Sequence, residues 1–402
     1  MSTPFASVGE PQKQPTVESQ DEPLVCQRDC FDLPDSLTYL NCSFMSPMLH
    51  EMREAGRAGL DQRGRPWELT SDDFFAPAEQ VRSGFAGLIR ADAEGIALVP
   101  SVSYGIAVAA RSLKVESGQT IIRLAQQFPS NVYAWDSLAK RQEARIVSVV
   151  YPVDHDLTAA VLEHIGPDTA VVAIPPVHWY TGAAIDLIRV GGACREVGAA
   201  LVLDATQSIG TVDFDVSAVQ PDAMVTAGYK GLLGPYGLCY LYLAPHRRGG
   251  EPLEEAWLNR ERSQDFGNLT DYCDLYRGGA RRHDVGERAN TVLLPMAQVA
   301  LDHLHRWGSG RVSRYIAGLT DHVIACADEA GLSHTPKRFC SINMVGVQLP
   351  SETSPEIGSR LAEYGAYVSI RKGRMRLSPH IYNSETEVER FFDILQQTLR
   401  DG

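Results

Sequence analysis

Lys230 is the side chain in this sequence that is best placed for amine chemistry. It follows the apolar run 223–227 and precedes a glycine-rich turn, Gly231-Leu-Leu-Gly-Pro-Tyr-Gly237. Ligands of α/β proteins bind in the crevice outside the carboxyl ends of the strands, so a lysine there faces a ligand. Burial lowers the pKa of such an amine and frees it to attack a carbonyl group. Taken alone, the same pattern also fits a surface lysine that follows a strand.

Asp204 changes the balance between these two interpretations. It ends the apolar run Leu201-Val-Leu-Asp204, one strand before Lys230. A carboxylate at that position can bind Mg²⁺ in a nucleotide enzyme, but the sequence has no Gly-Lys dipeptide and therefore no G-x4-G-K-[ST] phosphate loop. The other use is to hold a protonated pyridine nitrogen, the charge pair that lets pyridoxal 5′-phosphate (PLP) act as an electron sink. The pair therefore predicts a PLP site.

A phosphate site is available at the segment Ser101-Val-Ser-Tyr-Gly105. The segment lies between the apolar run 96–99 and a helical stretch, so the Ser103 hydroxyl and the free N–H groups would face a phosphate at a helix N-terminus. The alternative is that Ser101 or Ser103 is only an N-cap.

Two longer segments carry a recognisable pattern. They are Leu201-Val-Leu-Asp-Ala-Thr-Gln-Ser-Ile-Gly210 and Ala227-Gly-Tyr-Lys-Gly-Leu-Leu-Gly-Pro-Tyr-Gly237. Their Asp-x-x-Gln to Lys-x-x-x-Gly-Pro pairing resembles the class V aminotransferase family of PLP-dependent enzymes, which includes cysteine desulfurases, kynureninases and isopenicillin-N-epimerase-like proteins. The resemblance covers roughly residues 37–400. It implies an α/β protein of PLP-dependent transferase fold type I, with a seven-stranded, mostly parallel sheet in the large domain and a smaller α/β C-terminal domain.

The resemblance assigns roles to the residues that would hold the cofactor. Lys230 would be the catalytic lysine that forms a Schiff base with PLP. Asp204 would bind the pyridine nitrogen, and Gln207 would form a hydrogen bond with the ring hydroxyl. The N–H of Val102 and the hydroxyl of Ser103 would hold the phosphate.

Three further residues would border the cofactor. Phe128 resembles the kynureninase-type Phe that stacks on the ring, with core packing as its alternative. Tyr229 precedes the lysine, as in kynureninases, and its hydroxyl can donate to a phosphate oxygen. His178, in His178-Trp-Tyr-Thr-Gly182, matches the family segment beside the ring, where many relatives have Asn.

The resemblance also implies a substrate site and a dimer. Arg376, in a segment of the form Arg-x-Ser-x-x-x-Tyr, would clamp the α-carboxylate of an amino-acid substrate. Asn41 would line the same carboxylate site. The loop that contains Gly286 and Asn290 sits where relatives send a loop into the neighbouring subunit's site, which implies a homodimer with shared active sites.

A cysteine is missing where desulfurases carry one. Their nucleophilic Cys lies on a loop shortly before the carboxylate-binding Arg, but residues 365–376 contain no Cys, and Cys340 lies further back. A persulfide-forming desulfurase is therefore disfavoured. We expect Arg371, Lys372 and Arg374, which stand in that stretch, to be solvated.

These features favour a C–S lyase that acts by β-elimination on a cysteine S-conjugate in specialised metabolism, such as antibiotic biosynthesis. The substrate would react as an external aldimine, and the freed Lys230 would remove the Cα proton. Decarboxylating or oxidative deamination, epimerisation and transamination remain open as alternatives. A catalytically silent binding protein of the same fold is the non-enzyme alternative.

Predicted strands and helices, which must position these residues, alternate along the chain. This alternation predicts a largely parallel sheet. The predicted strands are 96–99, 120–124, 145–151, 170–174, 201–204, 223–227 and 237–243, with helical stretches between them. Further helices are predicted at 290–307, 314–330 and 385–399. The predicted organisation is a disordered tail (1–20), an arm packing on the small domain (21–45), a large PLP-binding domain (46–285) and a small domain (286–402).

Composition excludes several classes of protein. The 402 residues carry a net charge of −13, which argues against nucleic acid as a partner. The sequence lacks an apolar run of the ~18 residues that a membrane span needs, and residues 1–20 do not read as a signal peptide. The eight cysteines contain no C-x-x-C pair, which favours reduced thiols, no metal and a cytoplasmic location.

Overall fold

The computed structural model describes residues 22–400, which form twelve strands and eleven α-helices. The strands are β1 (Thr38–Tyr39), β2 (Ile96–Val99), β3 (Thr120–Leu124), β4 (Arg145–Val149), β5 (Thr169–Ile174), β6 (Ala200–Asp204), β7 (Ala223–Ala227), β8 (Cys239–Leu243), β9 (Val345–Gln348), β10 (Ala366–Tyr367), β11 (Ser369–Arg371) and β12 (Arg374–Leu377). The helices are α1 (His50–Arg63), α2 (Ala76–Leu88), α3 (Val102–Ser112), α4 (Tyr133–Gln142), α5 (Leu157–Leu162), α6 (Leu187–Val197), α7 (Val216–Val219), α8 (Leu293–Trp307), α9 (Ser309–Glu329), α10 (Ile357–Glu363) and α11 (Glu385–Arg400).

The main sheet has seven strands in the order β2-β8-β7-β6-β5-β3-β4. Strand β8 is antiparallel to both of its neighbours, and the other six strands run in one direction. The seven-stranded, mostly parallel sheet predicted from the sequence is therefore confirmed. Each predicted strand is present, and its ends lie within two residues of those expected.

Most side chains on both faces of this sheet are buried, because helices cover both faces; the edge strand β4 is the exception. Successive residues of a strand point to opposite faces, so Leu98 and Leu203 lie in one hydrophobic core while Val99 and Val202 lie in the other. Apolar and β-branched residues without alternation are typical of such doubly covered parallel strands. The first core also contains most of the buried face of α8.

The parallel arrangement brings the predicted site residues to one edge. Asp204 is the last residue of β6, and Lys230 follows the end of β7. Phe128 follows the end of β3, and Val102 begins α3 directly after β2. Because the carboxyl ends of parallel strands meet at the same edge of a sheet, these four residues converge at the place where α/β proteins bind ligands.

A second, smaller α/β region follows α8. Strands β11, β12 and β9 form an antiparallel sheet, and its core includes buried residues of α9 and α11. Strand β1 pairs in parallel with β10, and Leu40 lies in this core, so the segment 22–45 packs here as well as against Trp307 through Phe31. The domain boundaries remain a prediction, and the predicted tail at 1–20 lies outside the described residues.

A buried ion-pair network fixes the loop before α8 to the sheet. The Asp284 carboxylate accepts two hydrogen bonds from Arg82 of α2, at 3.1 and 2.7 Å, and lies 3.2 Å from Nε of Arg288. It also accepts the N–H of Leu98 at 2.8 Å. All three charged side chains are buried. Arg82 also pairs with Glu79 at 3.3 Å, whereas Asp284 is the one described carboxylate that forms an ion pair with Arg288.

Of the helices within residues 22–400, none combines the length and the apolar character that a membrane crossing requires. All eight cysteines lie within this range, and all are free thiols.

Candidate active site

Two adjoining cavities lie at the carboxyl edge of the main sheet. The inner cavity, of about 340 Å³, is lined by residues that include Val102, Ser103 and Asp204. The outer cavity, of about 850 Å³, is lined by residues that include Arg376 and aromatic side chains. Lys230 lines both cavities, so its amine stands where they meet.

The loop from 228 to 238 holds Lys230 in place. The Lys230 carbonyl accepts the N–H of Leu233 at 2.9 Å, and Gly234 donates to the Gly228 carbonyl at 2.7 Å. Gly210, with φ +91°, lets the loop after Asp204 approach closely, because a Cβ there would collide with the Gly231 carbonyl. The loop after Asp204 and the loop that contains Lys230 are therefore packed closely against each other.

The Lys230 amine is nine-tenths buried, and burial lowers its pKa to about 8. The Asp204 carboxylate opposes this shift, and the Arg376 guanidinium adds to it. The amine lies 5.7 Å from the ring centre of Phe128 and 5.8 Å from that of Tyr229. A lysine in this setting holds a useful fraction of neutral, nucleophilic amine near neutral pH.

Asp204 is a buried carboxylate beside this amine. Burial raises its pKa, while hydrogen bonding from Thr206 and the charge of Lys230 lower it. The backbone N–H of Thr206 donates to Oδ1 of Asp204 at 3.2 Å. A buried carboxylate of this kind gains from a cationic partner, which a protonated pyridine nitrogen would supply.

The first turn of α3 forms the far end of the inner cavity. Ser101 caps the helix, since its Oγ accepts the N–H of Tyr104 at 3.1 Å and lies 3.0 Å from Oγ of Ser103. Ser101 is therefore an N-cap, which is the alternative role that the sequence allowed for it. The exposed Ser103 hydroxyl lies beside the free N–H groups of the first helical turn. A helix start offers such groups to an external anion.

This set of donors fits PLP. The inner cavity offers anion-binding N–H and hydroxyl groups at one end, a buried carboxylate for a ring nitrogen, and an amine for the aldehyde. Gln207 and Phe128 also line this cavity. Nε2 of Gln207 donates to the Ser43 carbonyl at 3.1 Å, and this hydrogen bond directs the Gln207 amide toward the inner cavity.

Trp179 and Tyr236 line both cavities and were not identified from the sequence. Nε1 of Trp179 donates to the Gln126 carbonyl at 2.7 Å, and its ring makes an edge contact with Phe128 at 5.5 Å between ring centres. Trp179 lies in the segment 178–182, which the sequence did single out. Within that segment, however, the family resemblance assigned a role to His178 and not to Trp179.

His178 lines neither cavity. Its Nδ1 lies 2.9 Å from the Thr181 hydroxyl, and its ring stacks on Tyr151 at 5.9 Å between ring centres. Burial lowers its pKa to about 4, so the imidazole is neutral at neutral pH. The segment reaches the cavities through Val177 and Trp179.

Arg376 is a buried cation with spare hydrogen-bonding capacity. It is 3% exposed, its Nη1 donates to the Trp179 carbonyl at 2.9 Å, and its Nε has no partner among residues 22–400. None of the described carboxylates forms an ion pair with it. Burial and the nearby Arg371 lower its pKa to about 10. An incoming carboxylate would satisfy both the charge and the free donor.

The other predicted site residues lie outside the two linings. Asn41 is buried, and its Oδ1 accepts the Ser369 hydroxyl at 2.8 Å. The Gly286 N–H donates to Glu254 at 2.6 Å, and Oδ1 of Asn290 caps the start of α8 by accepting two backbone N–H groups. Their roles in carboxylate binding and in a neighbouring subunit's site remain predictions.

The model of the family "Aminotransferase class-V" matches residues 62–263, which is half of the chain. The chain belongs to the class-V aminotransferase family. Members of this family are PLP-dependent enzymes, so pyridoxal 5′-phosphate is the cofactor, and the residues of the inner cavity fit it. The family resemblance of the segments 201–210 and 227–237 is therefore confirmed.

Curated relatives in this family include proteins with different names. The chain is 27% identical over 333 residues to an uncharacterized aminotransferase, YcbU, of Bacillus subtilis, covering 82% of this chain and 85% of the relative. It is 23% identical over 393 residues to the isopenicillin N epimerase of Amycolatopsis lactamdurans, covering 92% and 97%. These identities do not single out one reaction.

Among solved structures, the cystine C–S lyase C-DES, bound to its reaction product cysteine persulfide, superimposes with a TM-score of 0.82. The match covers 89% of this chain and 97% of that chain at 18% identity. At this identity the likeness establishes the fold alone. The predicted fold type I is confirmed.

Proposed function

We propose that this family member is a C–S lyase that acts by β-elimination on a cysteine S-conjugate. The observation that carries the proposal is the position of Lys230 between two cavities of different character. The inner one holds Asp204 and the helix start, and the outer one holds Arg376. An amino acid bound through its carboxylate at Arg376 can therefore present its Cα to the amine while its side chain occupies the outer cavity.

When bound, PLP supplies an electron sink for a carbanion at the substrate Cα. Arg376 orients the substrate by binding its α-carboxylate through a guanidinium that has a free Nε. Lys230 would remove the Cα proton as general base and could return a proton to the leaving sulfur. The Asp204 carboxylate keeps the ring nitrogen protonated.

The net reaction breaks the Cα–H and Cβ–S bonds of the substrate, and water then replaces the amino nitrogen on Cα by oxygen. One cysteine S-conjugate and one water molecule yield one thiol, one pyruvate and one ammonia. The outer cavity leaves room for the departing thiol, because its volume lies near the upper end of the roughly 300–1,000 Å³ typical of small-molecule sites.

The thiols near the site support elimination over desulfuration. Burial raises the pKa of Cys42 and of Cys239 to about 12, so neither is a thiolate at neutral pH. The Cys340 thiol also has a pKa of about 12, and it donates to the Met344 carbonyl at 3.3 Å. Among the described residues, none of the cysteines lines the outer cavity.

We also propose that the protein is a homodimer with shared active sites. We further propose that it is located in the cytoplasm and acts in specialised metabolism such as antibiotic biosynthesis. Phe44 is 53% exposed and Tyr236 is 68% exposed at the rim of the outer cavity. Exposed aromatic side chains grouped at one place are typical of an interaction surface. Light scattering should give a mass twice the 44.1 kDa of the chain, and a mass equal to one chain would contradict the dimer.

Product analysis tests the proposed reaction. S-benzylcysteine incubated with the holoenzyme should yield benzyl thiol, pyruvate and ammonia in equal amounts, as measured by mass spectrometry and enzymatic assay. The Lys230→Ala variant is the control and should yield none of them above background. Recovery of only racemised S-benzylcysteine, or of a keto acid that retains its sulfur, would overturn the lyase assignment and favour epimerisation or transamination.

A further inference from the structure

The hairpin of β11 and β12 directs several cations toward one side. Ser369 lies opposite Arg376 and Arg371 lies opposite Arg374 in the antiparallel register. Residues directly opposite each other point to the same face, as do alternate residues of one strand. Arg371, Arg374 and Arg376 therefore share a face.

The turn of this hairpin is tightly specified. Lys372 and Gly373, its two central residues, have φ values of +46° and +74°. Positive φ at both central positions is the requirement of the type I′ turn, whose twist matches that of the flanking strands. The turn holds Lys372 at the rim of the outer cavity, and the Tyr180 hydroxyl reinforces it by donating to the Lys372 carbonyl at 3.4 Å.

The outer cavity is lined by four cations, and none of the described acidic residues belongs to its lining. The cations are Lys230, Arg371, Lys372 and Arg376. This local excess of positive charge contrasts with the net charge of −13 on the whole chain. Lys230 serves the cofactor, and the substrate α-carboxylate neutralises Arg376. Arg371 and Lys372 remain without a counterion among residues 22–400.

The two remaining cations, Arg371 and Lys372, form few polar contacts with the described residues. Within the described part of the chain, the Arg371 side chain donates only to the carbonyl of its neighbour Ile370, at 2.8 Å. None of the carboxylates in residues 22–400 forms an ion pair with Arg371 or Lys372. Arg374 stands beside them with its guanidinium 5.6 Å from the ring centre of Tyr180 and with a buried Nε that has no partner in the described chain.

The wall of the outer cavity is largely aromatic and apolar. Phe44, Met45, Phe128 and Trp179 all line it. A cavity of about 850 Å³ is much larger than a small amino acid such as cysteine needs, so the wall accommodates an extended apolar group.

We propose that the substrate carries a second carboxylate at the far end of an extended, apolar side chain, and that Arg371 and Lys372 bind it at the rim of the outer cavity. Arg371 offers the planar fork that matches a carboxylate, and Lys372 offers a point charge. This inference rests on the proposed function insofar as the substrate is an amino acid held by Arg376. It narrows the substrate class to S-conjugates with an acidic tail.

A matched pair of ligands tests the second carboxylate. The probes are the α-methyl derivatives of S-(4-carboxybenzyl)cysteine and of its uncharged isostere S-(4-carbamoylbenzyl)cysteine. Neither has a Cα proton, so binding is measured without turnover, through the change in cofactor absorbance of the holoenzyme. At low ionic strength the carboxylate should bind roughly tenfold more tightly than the amide, and this preference should shrink as salt is added because the cations are exposed.

Substitutions in the hairpin test whether Arg371 and Lys372 cause the preference for the carboxylate probe. Arg371→Gln combined with Lys372→Asn should bring the ratio of the two dissociation constants close to one; Asn tolerates the positive φ at the turn. Lys140→Gln, which removes an exposed lysine on α4, is the matched control and should leave the ratio unchanged. Circular dichroism and the cofactor spectrum confirm that each variant is folded and loaded.

The outcomes separate the two proposals. Equal affinity for both probes, with elimination of the unmethylated compounds intact, would overturn the second carboxylate and leave the lyase standing. A preference that survives in the double variant would overturn the assignment to Arg371 and Lys372. A PLP-loaded protein that binds neither probe would overturn the amino-acid site itself, and the inference with it.

Discussion

The ionisation of Lys230 predicts how the apo-protein captures its cofactor. Only the neutral amine attacks the aldehyde of PLP, and burial lowers the pKa of this amine from 10.5 to about 8. The rate of capture should therefore rise about tenfold per pH unit below pH 8 and level off above it. A free lysine amine, with its pKa near 10.4, would keep rising well beyond that point.

The magnitude follows from the two pKa values. At pH 7 about one amine in ten is neutral with a pKa of about 8, against roughly three in ten thousand with a pKa of 10.5, an advantage of about 300-fold. The same shift costs the folded protein about 3 kcal/mol. Because the pKa is depressed on folding, this penalty is present in full below pH 8 and disappears as the pH rises from 8 to 10.5.

The assay mixes apo-protein with PLP in a stopped-flow instrument and follows the absorbance of the bound cofactor from pH 6 to pH 10. A lysine derivative with a free side-chain amine serves as the control for titration of PLP itself. Asp204→Asn should move the midpoint below 8, since that carboxylate raises the pKa, and Arg376→Gln should move it above 8. A midpoint near 10, or shifts of the opposite sign, would refute the reasoning.

Three further substitutions have defined outcomes. Arg376→Gln removes a charge-assisted pair worth about 2–3 kcal/mol, so steady-state kinetics should show KM for the amino acid raised roughly 30- to 150-fold, and an unchanged KM would contradict its role. Phe128→Leu removes a ring contact worth about 1 kcal/mol, so fluorescence titration should show PLP bound about fivefold more weakly, whereas equal affinity would favour simple packing. Asp284→Ala leaves Arg288 buried without its described carboxylate and leaves Arg82 with Glu79 alone, which should lower the free energy of unfolding in urea by about 3–5 kcal/mol; a loss below 1 kcal/mol would contradict the importance of this network.

The main sheet could be predicted because its strands carry their signal in local composition. They are short, apolar on both faces and separated by helices, which is sufficient to predict a parallel sheet. The order of the strands and the reversal of β8 depend on contacts between distant segments, and a single sequence does not reveal them. The ends of helices are also difficult to predict from the sequence. The helix predicted at 314–330 is α9, which begins at Ser309 directly after Gly308, whose φ of +79° ends α8.

Helix α1 was not predicted because its buried face is unusually small. Its buried residues are Met52, Gly56 and Gly59, which follow helical spacing but carry almost no apolar surface. The glycines allow close packing, since a Cβ on Gly59 would collide with the carbonyl of Thr291 just before α8. Hydrophobic periodicity detects side chains, so a helix that packs through its backbone escapes it.

The cofactor side of the candidate site was easier to predict than the substrate side. Asp204 and Lys230 sit at strand ends, where position along the chain determines position in space. Trp179 and the hairpin cations reach the site from separate regions, through loop paths that no local pattern encodes. Arg371 and Lys372 are exposed, as expected, but they also line the outer cavity.

The most direct test of the central claim is to locate the covalent attachment of the cofactor. The holoenzyme is reduced with borohydride and digested, and the peptides are sequenced by mass spectrometry. The reduced pyridoxyl phosphate should be found on Nζ of Lys230, and its yield should fall to background in Lys230→Ala. Its presence on any of the other five lysines, with Lys230 unmodified, would contradict the assignment of the site.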